Sequence, residues 1–249
     1  MNKWRVIITL SYLLQTLRKA KKMTKKVLRD PNSVSEEYRY KWLQKRALYF
    51  AWLYNVKVHP QGLENWVNNK GCVMIVNHQS NFDALLLLLI NDFSKFAPLA
   101  FIAKQELQEH KIFKCFLQLI DVLFLDRNNP RQALEVFNDA KKLIRVPRTM
   151  VIFPEGTRSN SSTVQEFKPA AFRIAYQAYV PIIPVAIINS YEVFNKKYQG
   201  KKNIYLVIQK SLDPANFINI TTYNLAKNMQ NNIQKVINNF NLKNKDEKK

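Results

Sequence analysis

Cysteine is scarce in this chain, which has two cysteines among 249 residues. Cys72 and Cys115 lie in apolar stretches and form no Cys-x-x-Cys pair. So few thiols at such a spacing exclude a disulfide framework and a cysteine-based zinc cluster. We interpret both residues as buried structural thiols in a protein of a reducing compartment. Because 47% of the residues are hydrophobic, the chain can instead be stabilised by one apolar core.

Acidic residues are also few, since 18 Asp and Glu stand against 39 Lys and Arg, giving a formal net charge of +21. An excess of this size predicts an anionic partner. Nucleic acid and an acidic membrane surface both meet that condition. The sequence has no known reader motif and no aromatic residues interleaved with basic ones along a groove. A basic nucleic-acid-binding protein is therefore the weaker alternative, and no specific nucleic acid is expected as a partner.

The N-terminal apolar stretch is shorter than the roughly 20 residues that a membrane-spanning helix needs. It covers residues 6–17 and contains Thr9, Ser11 and Gln15. Most of the positive charge follows the stretch and no small-residue cleavage site is present, which argues against a signal peptide. The pattern favours a helix that lies in a membrane interface, where each basic residue contributes about 1 kcal/mol. The alternative is a solvated basic helix. The basic residues are Arg18, Lys19, Lys21, Lys22, Lys25, Lys26 and Arg29.

A second helix is expected at residues 35–54, with Ser33 or Ser35 as its N-cap. Its second half, ALYFAWLY, is apolar on every side, so it is either buried in the domain or in contact with lipid. The chain therefore divides into an N-terminal helical region, residues 1–54, and an α/β domain, residues 55–249, with a Lys-rich C-terminal tail. Aromatic residues near the two helices fit an interfacial anchor and core packing equally well: Trp4, Tyr12, Trp42, Tyr49 and Trp52.

Beyond residue 55, apolar runs of strand length alternate with segments of helical spacing, which is typical of an α/β architecture. One predicted helix starts at Pro130 with Asn129 as its cap, and the last runs from about residue 222 to 240. The tail beyond it is expected to be frayed. The predicted strands are residues 71–76, 98–103, 121–126, 149–153, 180–188 and 203–209.

The segment NHQSNFD, residues 77–83, follows the first of these strands and has two interpretations. Ser80 and Asp83 match a capping box or a close variant, which gives the aspartate a structural role. His78 has no such role, and it lies at the strand exit where open α/β folds bind their ligands. If the turn brings Asp83 back to His78 Nδ1, the other ring nitrogen becomes available as a general base.

Two further strand ends carry arginines suited to an anionic ligand. FPEGTRS, residues 153–159, combines Gly156, which permits unusual backbone angles, with Arg158, which can hold a phosphate through two parallel hydrogen bonds. Arg127 in FLDRNNPRQA lies beside a helix start that favours anions. These positions indicate an anionic ligand at the same edge of the sheet as His78.

Taken together, NHxxxxD, the F-L-D-R segment, FPEGTRS and the proline-punctuated VPIIPV resemble, in order and spacing, the four blocks of the glycerolipid acyltransferase family. The greatest similarity is to the bacterial 1-acyl-sn-glycerol-3-phosphate acyltransferases. AKQEL, residues 103–107, also resembles the family's segment between the first two blocks. The resemblance covers roughly residues 55 to 190. It implies an α/β fold with a central mixed sheet flanked by helices and an N-terminal membrane-associating helical pair.

The resemblance also implies a role for each matching residue. His78 would be the general base that deprotonates the free sn-2 hydroxyl of 1-acyl-glycerol-3-phosphate (lysophosphatidic acid), and Asp83 would orient it, with no covalent acyl-enzyme. The product would be phosphatidic acid for phospholipid synthesis. The acceptor would contact Arg127, Glu155, Gly156, Thr157, Arg158 and Lys168.

No metal and no cofactor are implied, because an acyl-CoA or acyl carrier protein thioester is the co-substrate. The expected location is the cell membrane, peripheral or monotopic on the cytoplasmic face. Asp121 and Ala170 depart from the family, which commonly has glycine at both positions. These departures bear on loop geometry and on the acceptor. A related acyltransferase of another lysophospholipid or of glycerol 3-phosphate therefore stays an alternative.

Overall fold

A seven-stranded sheet forms the centre of the protein in a computed structural model that describes residues 3–126, 129–198 and 200–246. The strands are β1 (Val56–Gln61), β2 (Cys72–Val76), β3 (Leu99–Lys104), β4 (Asp121–Leu125), β5 (Thr149–Ile152), β6 (Ile182–Ile188) and β7 (Lys202–Ile208). Their order is β1-β7-β6-β2-β5-β3-β4, and neighbouring strands are parallel except β6 and β7. The predicted mixed α/β sheet is confirmed.

Helices cover both faces of the sheet. Alternate residues of β2 point to opposite faces, so Met74 packs with one apolar cluster and Ile75 with the other. The first cluster includes residues of α1, α2 and α3, and the second includes residues of α5, α6 and α7. The helices are α1 (Lys3–Arg29), α2 (Glu36–Leu53), α3 (Asp83–Ile90), α4 (Phe113–Leu117), α5 (Pro130–Arg145), α6 (Arg173–Ala178) and α7 (Thr222–Asp246).

The N-terminal helices share the core of the α/β domain. Ala20 and Tyr40 are fully buried in the same cluster as Met74. Of the two predicted N-caps of α2, Ser35 is the one observed, because its hydroxyl accepts a hydrogen bond from Tyr38 N. The apolar half of α2 has one buried side and one exposed side, since Ala47 is buried whereas Trp52 is 58% exposed. No helix among the described residues is long and apolar enough to cross a membrane.

Two elements differ from the sequence-based expectation. Strand β1 was not predicted; it pairs in parallel with β7 at the edge of the sheet. Helix α7 continues to Asp246 instead of ending near residue 240, so the expected frayed tail is wrong for its first residues. The cap of α5 is confirmed, because Asn129 Oδ1 accepts a hydrogen bond from Gln132 N.

Candidate active site

The carboxyl ends of three adjacent parallel strands meet at one edge of the sheet. Strand β2 lies between β5 and β6, and its register with both is fixed by the backbone ladder. His78 follows β2, Glu155 follows β5 and Ser190 follows β6. The carboxyl edge of a parallel sheet is where open α/β folds collect ligand-binding side chains.

Asn77 fixes the strand exit from which His78 projects. Its side-chain amide donates to Ile187 O at 2.9 Å, and its Oδ1 accepts from Ile187 N at 2.7 Å. Asn77 is 1% exposed, so the two bonds lie in a dry environment where they resist exchange with water. The end of β2 is thereby held against β6.

The segment NHQSNFD folds so that Asp83 contacts both the turn before α3 and the ring of His78. Its Oδ2 accepts from Gln79 N at 2.7 Å and Ser80 N at 2.9 Å, which closes the turn before α3. The same oxygen lies 2.8 Å from His78 Nδ1. Because an ionised carboxylate only accepts hydrogen bonds, this contact places the ring proton on Nδ1. The same carboxylate oxygen therefore holds the turn and the histidine ring together.

The second oxygen of Asp83 is satisfied by a residue that the sequence did not indicate. Ser190 Oγ donates to Asp83 Oδ1 at 2.5 Å, and both residues have no exposed surface. Ser190 N also donates to Gln79 Oε1 at 3.0 Å. A buried carboxylate is stable only when hydrogen bonds replace its lost hydration, and Ser190 supplies one of these bonds.

His78 leaves one edge of its ring available. The ring stacks on Phe153 with centroids 4.2 Å apart, and the side chain is 21% exposed. Within the described ranges, Nε2 has no hydrogen-bond partner. An imidazole that is held on one side by a carboxylate and open on the other is suited to accept a proton from a ligand.

Glu155 braces the site from the β5 side. Its Oε1 accepts from His78 N at 2.6 Å and its Oε2 from Gln165 N at 2.9 Å. Burial raises the pKa of Glu155 to about 6, an effect that the two backbone hydrogen bonds partly offset. The carboxylate thus links the exit of β2 to the loop after β5, while its expected acceptor contact stays a prediction.

The other predicted acceptor residues lie on the exposed loop after β5 and the turn that follows it. Gly156 has a φ of 72°, a left-handed conformation that glycine adopts without strain. Thr157 and Arg158 are exposed, and the loop returns to the site because Ser159 N donates to His78 O at 2.8 Å. Lys168 is exposed and pairs weakly with Glu166 at 3.4 Å.

Arg127 lies outside the described residues, so its predicted contact stays a prediction. Among the residues that the structure describes, no group of three or more His, Cys, Asp or Glu could hold a metal ion.

A buried aspartate behind a partly open histidine is an arrangement found in enzymes that activate a hydroxyl group. Comparison with known proteins narrows this class. The chain belongs to the acyltransferase family, whose model matches residues 57–188.

Individual relatives agree with the family match. The chain is 35% identical over 211 residues to a Mycoplasma pneumoniae protein named "Probable 1-acyl-sn-glycerol-3-phosphate acyltransferase", covering 80% of this chain and 78% of that one. It is 31% identical to the 1-acyl-sn-glycerol-3-phosphate acyltransferase of Saccharomyces cerevisiae, over 76% and 62% of the two chains. The crystal structure of the 1-acyl-sn-glycerophosphate (LPA) acyltransferase PlsC from Thermotoga maritima superposes with a TM-score of 0.72 at 26% identity, covering 95% and 92%.

Proposed function

We propose that this protein transfers a fatty acyl group from an acyl thioester to the free sn-2 hydroxyl of 1-acyl-glycerol-3-phosphate, giving phosphatidic acid for phospholipid synthesis. The observation that carries the proposal is the His78–Asp83 hydrogen bond of 2.8 Å at the carboxyl edge of the sheet. The named activities of the relatives in the acyltransferase family support the substrate and the product.

In the proposed reaction, His78 Nε2 accepts the proton of the sn-2 hydroxyl while that oxygen attacks the thioester carbonyl carbon. The imidazolium that forms is stabilised by Asp83, whose charge lies 2.8 Å from Nδ1. Collapse of the tetrahedral intermediate breaks the carbon–sulfur bond, and the leaving thiolate takes the proton from Nε2. The enzyme returns to its starting state without a covalent intermediate.

The acceptor phosphate would bind to the exposed arginine of the loop after β5. Arg158 is one residue from Ser159, whose backbone N–H is bonded to His78 O, so the loop that carries Arg158 is held against the segment that carries the base. A guanidinium can hold a phosphate through two parallel hydrogen bonds. Lys168 and Arg127 would add positive charge at the phosphate, as the family resemblance implies. The proposed acyl transfer requires no metal and no cofactor.

The enzyme would act at an anionic membrane surface on the cytoplasmic face. Exposed apolar side chains on α1 and α2 support this proposal, since Leu10, Leu14, Leu48 and Trp52 are 57%, 48%, 59% and 58% exposed. On α1, the basic residues between Arg18 and Arg29 follow Leu10 and Leu14. Apolar contact and positive charge together give peripheral attachment to anionic lipid.

The first experiment measures acyl transfer to 1-acyl-glycerol-3-phosphate in anionic vesicles, in parallel from a long-chain acyl-CoA and from acyl carrier protein. We expect His78→Ala to lower the rate by at least about a hundredfold, because general-base catalysis contributes about that much. His110→Ala is the matched control, since His110 is an exposed histidine between β3 and α4.

The outcomes separate the chemistry from the choice of substrate. A folded His78→Ala protein that retains most of the native rate would falsify the general-base assignment. If the native chain forms no phosphatidic acid with either donor, then the other acceptors are tested, and product from glycerol 3-phosphate or another lysophospholipid would replace the proposed substrate.

A further inference from the structure

A groove of about 350 Å³ lies between the C-terminal half of α1 and α4, on a part of the surface that the proposed chemistry does not use. Its floor includes Leu28 and Cys115. The two helices are joined at the base, because Thr24 Oγ1 donates to Cys115 O at 2.6 Å. Thr24 is 6% exposed, so this buried bond fixes the two helices to each other beneath the groove.

Cations from two distant parts of the sequence line the groove. Lys21, Lys25 and Arg29 come from α1, whereas Lys111 and Lys114 come from α4 and the segment before it. No acidic residue lines the groove among the residues that the structure describes. Within the same residues, none of these five cations forms an ion pair. Five unpaired positive charges around one depression repel one another, which an anionic ligand would relieve.

The groove shares a face of α1 with the helix's exposed leucines. Leu10 and Leu28 are 18 positions apart, which is five full turns at 3.6 residues per turn, so their side chains leave the helix in the same direction. Both are exposed, at 57% and 65%. Lys21 and Lys25 lie between them on or close to this face. A membrane surface that contacts Leu10 would therefore bring its lipid headgroups close to the groove.

We propose that this groove is a discrete binding site for the phosphate headgroup of an anionic phospholipid in the bilayer. The ammonium and guanidinium groups bind the phosphate, and the apolar floor contacts the glycerol backbone of the lipid. The inference rests on the membrane attachment proposed above, but not on the acyl-transfer chemistry. It differs from attachment by a polybasic helix alone, because Lys114 lies on α4 and Lys111 in the segment before α4.

The first test measures partition of the full chain onto phosphatidylcholine vesicles with and without a fixed fraction of phosphatidylglycerol. We expect the double variant Lys111→Ala/Lys114→Ala to bind the anionic vesicles about thirtyfold more weakly. Each of the two cations contributes about the same factor, roughly fivefold, to the affinity for an anionic surface. The matched control is Lys227→Ala/Lys235→Ala, which removes the same charge from exposed positions on α7, over the opposite face of the sheet. The control should change binding by less than about threefold.

The second test asks whether the site is saturable. Dihexanoyl phosphatidylglycerol, below its micelle concentration, is titrated into the protein while the binding heat is measured. Phosphatidylglycerol is neither substrate nor product of the proposed reaction. We expect one equivalent to bind to the native chain and to Arg158→Ala, and binding to be lost in Lys111→Ala/Lys114→Ala.

Three results would overturn the proposal. Equal weakening in the two double variants means diffuse attraction by net charge, and loss of short-chain lipid binding in Arg158→Ala means that the lipid occupies the active site. If Lys111→Ala/Lys114→Ala binds vesicles normally and loses transfer from acyl carrier protein alone, the groove serves an acidic protein. Transfer in neutral detergent micelles should be native in this variant, so failure of the groove and failure of the proposed function are distinguishable.

Discussion

Ser190 is the residue whose contact with the site most sharply tests the proposed positioning of the base. Removing its hydroxyl in Ser190→Ala leaves Asp83 Oδ1 without its donor in a fully buried position. Hydrogen bonds to charged groups contribute about 1.5–3 kcal/mol, so we expect kcat to fall about tenfold or more with KM little changed. The downfield proton resonance of His78 Nδ1–H should shift as well, which a merely structural defect elsewhere would not cause.

Two further variants complete the Ser190 test. Ser190→Thr keeps the hydroxyl, so the resonance and most of the rate should return even if the added methyl lowers stability. Ser94→Ala removes an exposed serine hydroxyl that bonds Asp92 and should leave both readouts unchanged. A native rate and resonance in Ser190→Ala would show that the hydroxyl does not position the pair.

Glu155 makes a prediction about stability and pH. Its pKa is raised from 4.5 to about 6 by burial, so the folded state favours the neutral acid. The resulting stabilisation is fully present below pH 4.5 and is lost as the pH rises through 6. It amounts to at most about 2 kcal/mol, at 1.36 kcal/mol per pKa unit.

Chemical denaturation of the native chain and Glu155→Gln across pH 4.5–7.5 measures this contribution, because glutamine does not titrate. We expect the free energy of unfolding of the native chain, relative to the variant, to decrease as the pH rises and to level off above about pH 7. An increase over the same range would mean that the two backbone N–H donors stabilise the charged form more than burial opposes it.

The sequence made some of the site residues predictable and left others hidden for a physical reason. His78 and Asp83 lie five positions apart, so a single turn brings them together and one short segment of the sequence contains both. Ser190 lies 107 positions from Asp83. Their contact arises from the adjacency of β6 and β2, which a single sequence does not state.

At the scale of elements, strand β1 illustrates where periodicity fails. The buried strands were predicted because they are continuous apolar runs, such as CVMIV in β2. Strand β1 reads VKVHPQ, with polar residues at alternate positions and a proline, and none of its residues is fully buried. It is an edge strand, where proline and polar residues are tolerated, so its sequence resembles a loop.

Arg148 connects three elements at the amino end of the sheet, away from the site. The Nε of Arg148 donates to Asp121 Oδ2 at 2.6 Å, and its Nη2 donates to Glu36 Oε1 at 2.7 Å. The arginine side chain is 14% exposed. Asp121, where the family commonly has glycine, therefore has a partner that joins β4 to the start of α2. Asp121 thus takes part in the anchoring of the N-terminal helices to the sheet.

We expect Arg148→Ala to lower the free energy of unfolding by about 1–3 kcal/mol, because it leaves two half-buried carboxylates unpaired. Lys41→Ala is the control, since its pair with Glu37 is 62% and 60% exposed and should contribute less than about 0.5 kcal/mol. Thermal unfolding compares the two variants, and kcat at a permissive temperature should be native in both. Equal stability losses would show that the Arg148 pairs are no stronger than a surface pair.

At the scale of the whole molecule, the N-terminal helices share one apolar core with the sheet that carries the site. The sequence predicted the charge and the apolar content of these helices. It could not predict which aromatic residues would be buried, because α2 is apolar on every side. Packing decides this, since Trp42 is 4% exposed in the core whereas Trp52 is 58% exposed.

Apolar contact and positive charge respond differently to salt, which leads to a prediction about membrane binding. Leu48→Ala/Trp52→Ala removes two exposed apolar side chains on one face of α2. If they enter the lipid interface, partition onto neutral and anionic vesicles should fall by the same factor, roughly thirtyfold, because apolar burial does not depend on lipid charge. Raising the salt concentration should weaken binding to the anionic vesicles alone, since it screens the basic residues. Leu134→Ala/Tyr223→Ala removes equally exposed apolar residues from α5 and α7 on the opposite face of the sheet and should leave partition unchanged. If this control weakens binding as much as the α2 variant does, the membrane-facing surface is not the one formed by α1 and α2.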